Sequence, residues 1–481
     1  MSILKAEMLF KKKSYLEAME ICEGLIDAEP ANAEAAFLSG QISLVTKNWN
    51  AAEYFFEYTL SIDQNFIKCH IALAECFLEQ GKKQLAVERY KILFSIVPDV
   101  FLSRLKIGDI LVSLFKIDEA IEHYLFAHQT RPAEPKCMIK LSNAYKIKGE
   151  FNQAQFWLDK LLSIEPDNSV ANWNLSLLQL LRGDLLNGFI NYDTRWKIGS
   201  YFLPHMESSE WDGSNPSDKT ILVLAEQGWG DQIQFCRYII LLKDLGARVI
   251  FACPPRSLHL FSSLKIVCEI VERNTTLPKH DFYIPLISLP RIFKTELESI
   301  PNKVPYLEAD GNRVDFWHKK LGNPEQLQIG ISWREDVGTE PDSEFRNIPY
   351  SAFDPILSMF NFSFIALPLN LPQGATKHKN LNLLSDFSRD ADGVFADTMA
   401  IIHNLDLVIS PDSVYIHLSA AMGKPTWGLI NKASEWRWLA DGPGSLWYPT
   451  LKLFRQSKLG HWDDVLRNIS QDLKKMKKNV S

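Results

Sequence analysis

No run of 18 uncharged apolar residues occurs anywhere in the 481 residues, which excludes a helix crossing a membrane. The start, Met1-Ser-Ile-Leu-Lys-Ala-Glu, puts Lys5 and Glu7 where a secretory signal needs its apolar stretch, so a cytoplasmic location is expected. No two of the seven cysteines form a C-x-x-C pair, and their number is odd; buried free thiols are expected, and no structural zinc site. No half of the chain is basic. Net charge is −6, with 22 basic and 25 acidic residues in 1–200 and 30 and 33 in the remainder, so neither nucleic acid nor an anionic lipid surface is an expected partner. Low-complexity tracts are also missing: 46% apolar and 23% charged residues describe an ordinary globular chain, long enough for several domains.

What is present, first, is a repeat. Ala18, Ala52, Ala86, Ala120 and Ala154 recur at 34-residue steps. Twelve residues before this column comes a small residue: Ala6, Gly40, Ala74, Gly108, Ser142 and Ser176. Twelve after it lie Pro30, Gln64, Pro98, Pro132 and Pro166, with Gln64 the departure. Small residues let two antiparallel helices approach closely, and proline closes each unit. These columns resemble the tetratricopeptide repeat. The resemblance implies an all-α superhelix over 1–182, of five repeats and a final helix, about Val170 to Arg182, that Gly183 ends. Its groove would bind a protein segment; the alternative is an array that only scaffolds the second half of the chain.

The 34-residue register fails between Gly188 and Gly213, and Trp196, Tyr201, Phe202 and Trp211 make residues 183–218 a packed linker rather than a tether. The pattern then switches. Strands are predicted at 221–225, 248–253 and 266–271, with a helix over 232–245 closed by Gly246 and another after Pro254-Pro255. A second set has strands at 329–333, 362–369, 405–410 and 426–430 and helices at 350–359, 397–404 and 414–422. This alternation predicts α/β architecture with parallel sheets, two Rossmann-like lobes spanning 219–315 and 326–475, and a site in the cleft between them.

Three loops can carry chemistry. Glu226-Gln-Gly-Trp-Gly-Asp231 follows the first strand and opens a helix. It is not G-x-G-x-x-G, and the carboxylate of Asp231 would repel a pyrophosphate, so a dinucleotide site is disfavoured there. Asp231 is either a general base or a plain helix cap, and on the residues alone the cap is favoured. Gly228 and Gly230 allow a tight turn and close approach of a substrate. The second loop, Ser410-Pro-Asp-Ser-Val-Tyr-Ile-His417, again joins a strand to a helix; Asp412 and Ser413 can cap the helix, whose amides suit a nucleotide diphosphate, and His417 lies one turn in, as a ligand or as a satisfied helical histidine. The third is Ser332-Trp-Arg334, with Arg346 downstream; either arginine can neutralise phosphate or simply face solvent. Asp390-Ala-Asp392 reads as a solvated turn, and no metal is expected.

Gly230-Asp231 and Asp412-Ser413-x-x-x-His417-Leu-x-x-Ala421-x-Gly423-x-Pro425 together resemble the GT-B glycosyltransferases, and within them the heptosyltransferase-like family nine enzymes. Trp211-Asp-Gly213, Ala225-Glu-Gln-Gly228, Glu435-Trp-Arg-Trp438 and Trp447-Tyr-Pro449 are similar to phrases in bacterial proteins that join tetratricopeptide repeats to such a domain, some of them protein O-glycosyltransferases that modify flagellin. The N-lobe is shorter than in lipopolysaccharide heptosyltransferases, so their acceptor pocket does not carry over, and Pro411 and Tyr415 vary from the commoner residues at their places. The resemblance implies a metal-independent, cofactor-free glycosyltransferase that moves a sugar from a nucleotide sugar to a protein acceptor, such as flagellin or another surface protein. Asp231 becomes the base. Glu226, Gln227, Gly228 and Gly230 become the acceptor loop. Ser332, Arg334, Arg346, Asp412, Ser413, His417 and Trp436 become donor ligands, although Trp436 and Trp438 can equally pack the lobe. The alternatives are a protein-binding scaffold or chaperone with an inactive transferase domain, and a transferase acting on a lipid-linked or polysaccharide acceptor.

Overall fold

A computed structural model describes residues 2–97, 101–199, 203, 205–322, 325–333, 343–367, 378–384 and 395–476. The chain divides into two compact units, Met1–Lys148 and Gly149–Ser481.

The first unit is all helical. Its helices are α1 (Ile3–Lys11), α2 (Tyr15–Ala28), α3 (Ala33–Val45), α4 (Trp49–Ile62), α5 (Ile67–Glu79), α6 (Lys83–Ile96), α7 (Phe101–Ser113), α8 (Ile117–Thr130) and α9 (Pro135–Lys148). Consecutive helices pack on one another as hairpins. The two small-residue columns are why they can: Ala6, Ala74, Ala18, Ala52, Ala86 and Ala120 are fully buried at the helix crossings. A third column emerges sixteen residues after the first, in Cys22, Phe56, Tyr90 and Tyr124, all buried. It explains the glycines. A Cβ on Gly40 would lie 2.5 Å from the Phe56 ring, and one on Gly108 would overlap the Tyr124 ring. A fourth column closes the first helix of each hairpin: Lys13, Lys47, Gly81 and Phe115 all have φ between 60° and 72°. Each left-handed residue lets the next amide reach back to a helix carbonyl, as Asn48 N–H to Ser43 O at 2.8 Å and Lys82 N–H to Phe77 O at 2.8 Å. Only one of these four is glycine, which hides the column in the sequence.

The second unit opens with α10 (Phe151–Ile164), then a hairpin of α11 (Ser169–Leu181) and α12 (Leu185–Tyr192). The repeat pattern therefore runs one helix past the expected end at Gly183. Gly183 does terminate α11, at φ +88°, but Asp184 then caps α12 by accepting from Asn187 N–H at 3.3 Å. Gly188 occupies the alanine column, where a Cβ would meet Leu180 at 2.6 Å, and Tyr192 occupies the aromatic column.

Two parallel sheets complete the unit. The first contains β1 (Ser209–Glu210), β2 (Thr220–Leu224), β3 (Arg248–Cys253), β4 (Glu269–Glu272) and β5 (Phe282–Pro285) in the order β1-β5-β2-β3-β4. Between β2 and β3 lie α13 (Trp229–Phe235) and α14 (Arg237–Asp244), so the single helix expected over 232–245 is broken at Cys236. No α-helix forms after Pro254; short 3-10 turns at Pro255–Ser257 and Ser262–Ile266 take its place. The third strand begins later than expected because Ile266 faces solvent and pairing with β3 starts at Glu269. Short α15 (Leu289–Ile292) and α16 (Gly311–Leu321) lead to the second sheet.

The second sheet has β6 (Leu327–Ile331), β7 (Phe362–Ala366), β8 (Leu381–Asn382), β9 (Leu407–Pro411), β10 (Thr426–Ile430) and β11 (Leu451–Arg455), ordered β11-β10-β9-β6-β7-β8. Its helices are α17 (Ser343–Arg346), α18 (Asp354–Leu357), α19 (Ala396–Asn404), α20 (Val414–Ala421) and α21 (Asp463–Leu473). The helix expected over 350–359 is a 3-10 turn followed by α18, since Pro355 fits only a first turn. Numbered from β6, this is the doubly wound order 3-2-1-4-5-6, whose switch point lies between β6 and β9. The outer face of the sheet has its own core of Ile329, Phe353, Phe364 and Ile469. A larger core runs without interruption from Phe189 and Tyr192 of α12 through Val223 and Phe235 to Ile416, Trp436 and Trp447, and so ties both sheets and the last hairpin into one body.

Candidate active site

The loop after β2 leaves the sheet with Glu226 turned inward. Its carboxylate accepts from Arg195 Nε and Nη2 at 2.8 and 2.9 Å and from Ile287 N–H at 2.9 Å. Arg195, in the 3-10 turn after α12, is wholly buried and also bonds Asp193 and Ser288. Burial opposes its charge, but the carboxylates of Glu226 and Asp193 outweigh that and hold the guanidinium above its ordinary range. Expected as part of the acceptor loop, Glu226 is thus committed to the protein: it fastens the loop to the 3-10 turn that follows α12. Gln227 takes a left-handed φ of 57° and accepts from Tyr192 Oη at 3.1 Å, a tie to α12 itself.

Gly228 is exposed and Gly230 half-buried. Gly230 packs against the second sheet's helix: a Cβ there would lie 2.9 Å from His417 Cδ2. Close approach, here of protein rather than substrate, is what excludes a side chain. Asp231 falls in the first turn of α13. Its Oδ2 accepts from Gly228 N–H at 3.2 Å, and its Oδ1 is bonded by Arg437 Nη2. The carboxylate does cap its helix, and it also forms an ion pair with the 3-10 turn after β10. Burial works against the Arg437 charge, yet Asp231 leads the groups that raise the guanidinium above its usual range.

At the switch point the sequence-predicted residues converge. Ser332, at the end of β6, donates to Ser410 Oγ at 2.6 Å; Ser410 Oγ lies 2.8 Å from Ser413 Oγ, which caps α20 by accepting from Tyr415 N–H at 3.3 Å. Asp412 is buried, with Oδ2 lacking any hydrogen-bond partner among the described residues. Burial pushes its carboxyl up, and Arg346 is the leading cation that pulls it down. Arg334, Asp390 and Asp392 lie outside the described residues, as do Pro98, Tyr201 and Phe202.

His417 is buried on α20, with Nδ1 2.9 Å from Tyr448 Oη and its ring 5.1 Å from that of Trp438. Burial, then the charges of Arg437 and Arg237, hold its imidazole well below the usual range, so it is neutral at physiological pH. Trp436 is the correction. It is only 3% exposed, packed among Phe189, Tyr192 and Phe235 at centroid distances of 5.7, 6.0 and 6.2 Å, and Arg437 covers its ring at 4.4 Å. No face is left for a nucleobase. Trp438 is equally buried. Of the two roles open to these tryptophans, packing is the one they perform.

Two arginines are not singled out by the sequence. Arg437 is visible there only as the residue between two tryptophans. Arg237, on α14, carries no signal: it is buried and donates to Trp447 O at 2.5 Å, Pro301 O at 3.0 Å and Tyr306 Oη at 2.7 Å, joining the first lobe to the Trp447-Tyr448 loop of the second. Beside the β2 loop a cavity of about 610 Å³ is lined by Gln227, Trp229, Gln232, Pro254 and Arg256. Two polar atoms of these lining residues, Gln227 Nε2 and Gln232 Oε1, are buried without a hydrogen-bond partner among the described residues. Among the described residues, no group of three potential metal ligands occurs and no helix is long and apolar enough to cross a membrane.

Among known families, the tetratricopeptide repeat family matches residues 135–168. Protein FlbA of Caulobacter vibrioides is 21% identical over 341 residues, 63% of this chain and 55% of that protein, so the chain spans about half the length of the curated relative it matches. Similar solved structures include a tetratricopeptide repeat protein from Parabacteroides merdae, 16% identical over 40% of this chain and 77% of its own, with a TM-score of 0.37. Another is pilF of Pseudomonas aeruginosa, 13% identical over 40% of this chain and 88% of its own, with a TM-score of 0.34. The chain thus carries a tetratricopeptide repeat at residues 135–168 within its helical array, and its later part is an α/β body with two parallel sheets.

Proposed function

We propose that the α/β body is a GT-B-like glycosyltransferase that moves a sugar from a nucleotide sugar to a protein hydroxyl, with the acceptor protein, flagellin or another surface protein, selected by the repeats. The observation that supports this best is a juxtaposition: α13, whose first turn carries Asp231 beyond the carboxyl end of β2, packs through Gly230 against His417 of α20, which opens at the switch point of the other sheet. Ligands of doubly wound sheets bind at such points. In this reading the amides of the α20 start, with Ser413 and Arg346, hold the diphosphate; the acceptor enters along the cavity beside Trp229; and Asp231 takes the proton from its hydroxyl. The hydroxyl chain through Ser332 and Ser410 orients Ser413 rather than touching the donor.

The experiment is a nucleoside diphosphate titration without added metal, followed by turnover. Asp231→Asn should keep the fold, because the amide oxygen can still accept from Gly228 N–H and Arg437 keeps Glu435, and should lower sugar transfer roughly a hundredfold or more. Transfer near the wild-type rate removes Asp231 as base. A second reading, a protein-binding scaffold with an inactive transferase domain, draws on the ion pair that occupies Asp231; it predicts no transfer to any acceptor, tested by intact mass of surface proteins with and without this chain.

A further inference from the structure

Asp231, at the start of α13, and Arg437, in the 3-10 turn Trp436–Trp438 after β10, form an ion pair between the segments that follow the two sheets. Both are mostly buried, 15% and 13% exposed. Each Asp231 oxygen is engaged, one by Arg437 and the other by Gly228 N–H. Arg437 itself is built to be steered. Its guanidinium lies over the Trp436 ring, and that ring is locked by Phe189, Tyr192 and Phe235. Its other carboxylate, Glu435, is at 3.4 Å, so the cation keeps a partner when it leaves Asp231. The fork geometry of a guanidinium matches a phosphate as well as it matches a carboxylate.

We propose that Arg437 is shared between two anions: it holds Asp231 while the donor site is empty, and a nucleoside diphosphate arriving beside the α20 start takes Arg437 and frees Asp231. This rests on the transferase reading above. The base is then released only when a donor is in place. The acceptor hydroxyl gives its proton to Asp231, and its oxygen forms a bond to the anomeric carbon. The bond from that carbon to the β-phosphate oxygen breaks, its electron pair staying on the oxygen that Arg437 now neutralises. Departure of the diphosphate returns Arg437 to Asp231, whose proton passes to water.

The test is calorimetric titration of the full chain with uridine, guanosine, cytidine, adenosine and thymidine diphosphates. Partner sharing makes an unusual demand: Asp231→Asn, which removes the competing anion, should bind the preferred nucleotide more tightly, by roughly tenfold for a charge-assisted pair. Arg437→Gln should bind it at least tenfold more weakly, and in the Asp231→Asn/Arg437→Gln double variant the gain from Asp231→Asn should vanish. Circular dichroism establishes that each variant is folded, and Arg437→Lys supplies a variant that keeps the charge without the fork. Nucleotide binding that is equal in wild type and Asp231→Asn overturns the proposal while leaving the transferase reading intact. Failure of the wild-type chain to bind any of the five overturns that reading itself, and this proposal with it.

Discussion

Replacing Glu226 by glutamine keeps the shape of the side chain and removes its charge. Arg195 is wholly buried, and two of its hydrogen bonds, at 2.8 and 2.9 Å, end on Glu226. Breaking a buried pair by removing one partner costs about 3–5 kcal/mol, because the remaining charge stays desolvated. Asp193 and Ser288 remain to Arg195, and glutamine Oε1 can still accept one bond, so the lower end, about 3 kcal/mol, is expected. In a body of this size, where each kcal/mol shifts Tm by about 2 °C, the midpoint should fall by roughly 6 °C. Urea unfolding followed by tryptophan fluorescence reads the loss directly. Removing both charges, as Arg195→Met with Glu226→Met, should recover at least half of it, since apolar replacements of buried pairs are often neutral. Sugar transfer should fall in the single variant only as far as the loop carrying Asp231 loosens. Unchanged stability with abolished transfer would refute the reasoning and put Glu226 on the acceptor instead.

Three further expectations are open to measurement. Gly108→Ala should destabilise the repeat unit by about 1–3 kcal/mol despite better helix propensity, because the new methyl overlaps the Tyr124 ring, and adding Tyr124→Leu should relieve it, as the Ser142 and Leu158 pair occupies the same two columns; a stabilised Gly108→Ala in urea melts refutes this. Stability should fall as pH drops below about 6.5, by up to about 1.4 kcal/mol per unit for His417, because the unfolded chain protonates a histidine that the fold keeps neutral; His123, which burial first and the Arg104 and Lys91 charges next lower to about 4, adds the same slope down to that pH, and a urea midpoint equal at pH 7 and pH 5 contradicts both. Trp229→Ala, at the edge of the 610 Å³ cavity, should raise KM for the acceptor several-fold without changing nucleotide affinity by calorimetry, and the reverse pattern would move the acceptor elsewhere.

Much of this molecule is legible as spacing. The alanine and small-residue columns place every hairpin of the first unit, since a helix crossing admits only small side chains whatever surrounds it. Short apolar runs bounded by turn residues locate β2, β3, β7, β9 and β10, and the strand–turn–helix phrases at Asp231 and Ser413 mark the carboxyl ends of two sheets. These are local facts, carried by neighbours in the chain. The left-handed column at Lys13, Lys47, Gly81 and Phe115 is not legible, because the hydrogen bonds that compensate its strain belong to the backbone and leave no fixed residue type. Nor is α12, whose eight residues hold the register through Gly188 and Tyr192 alone. What tertiary structure decided was the assignment of partners. Glu226 found Arg195 31 residues away, Arg237 found the Trp447 carbonyl across 210 residues, and Asp231 found Arg437 across 206. A charged side chain written in sequence is equally a base, a ligand or half of an ion pair. Which it becomes depends on the dielectric around it and on the charge that packing brings within about 4 Å, and neither quantity exists before the chain is folded.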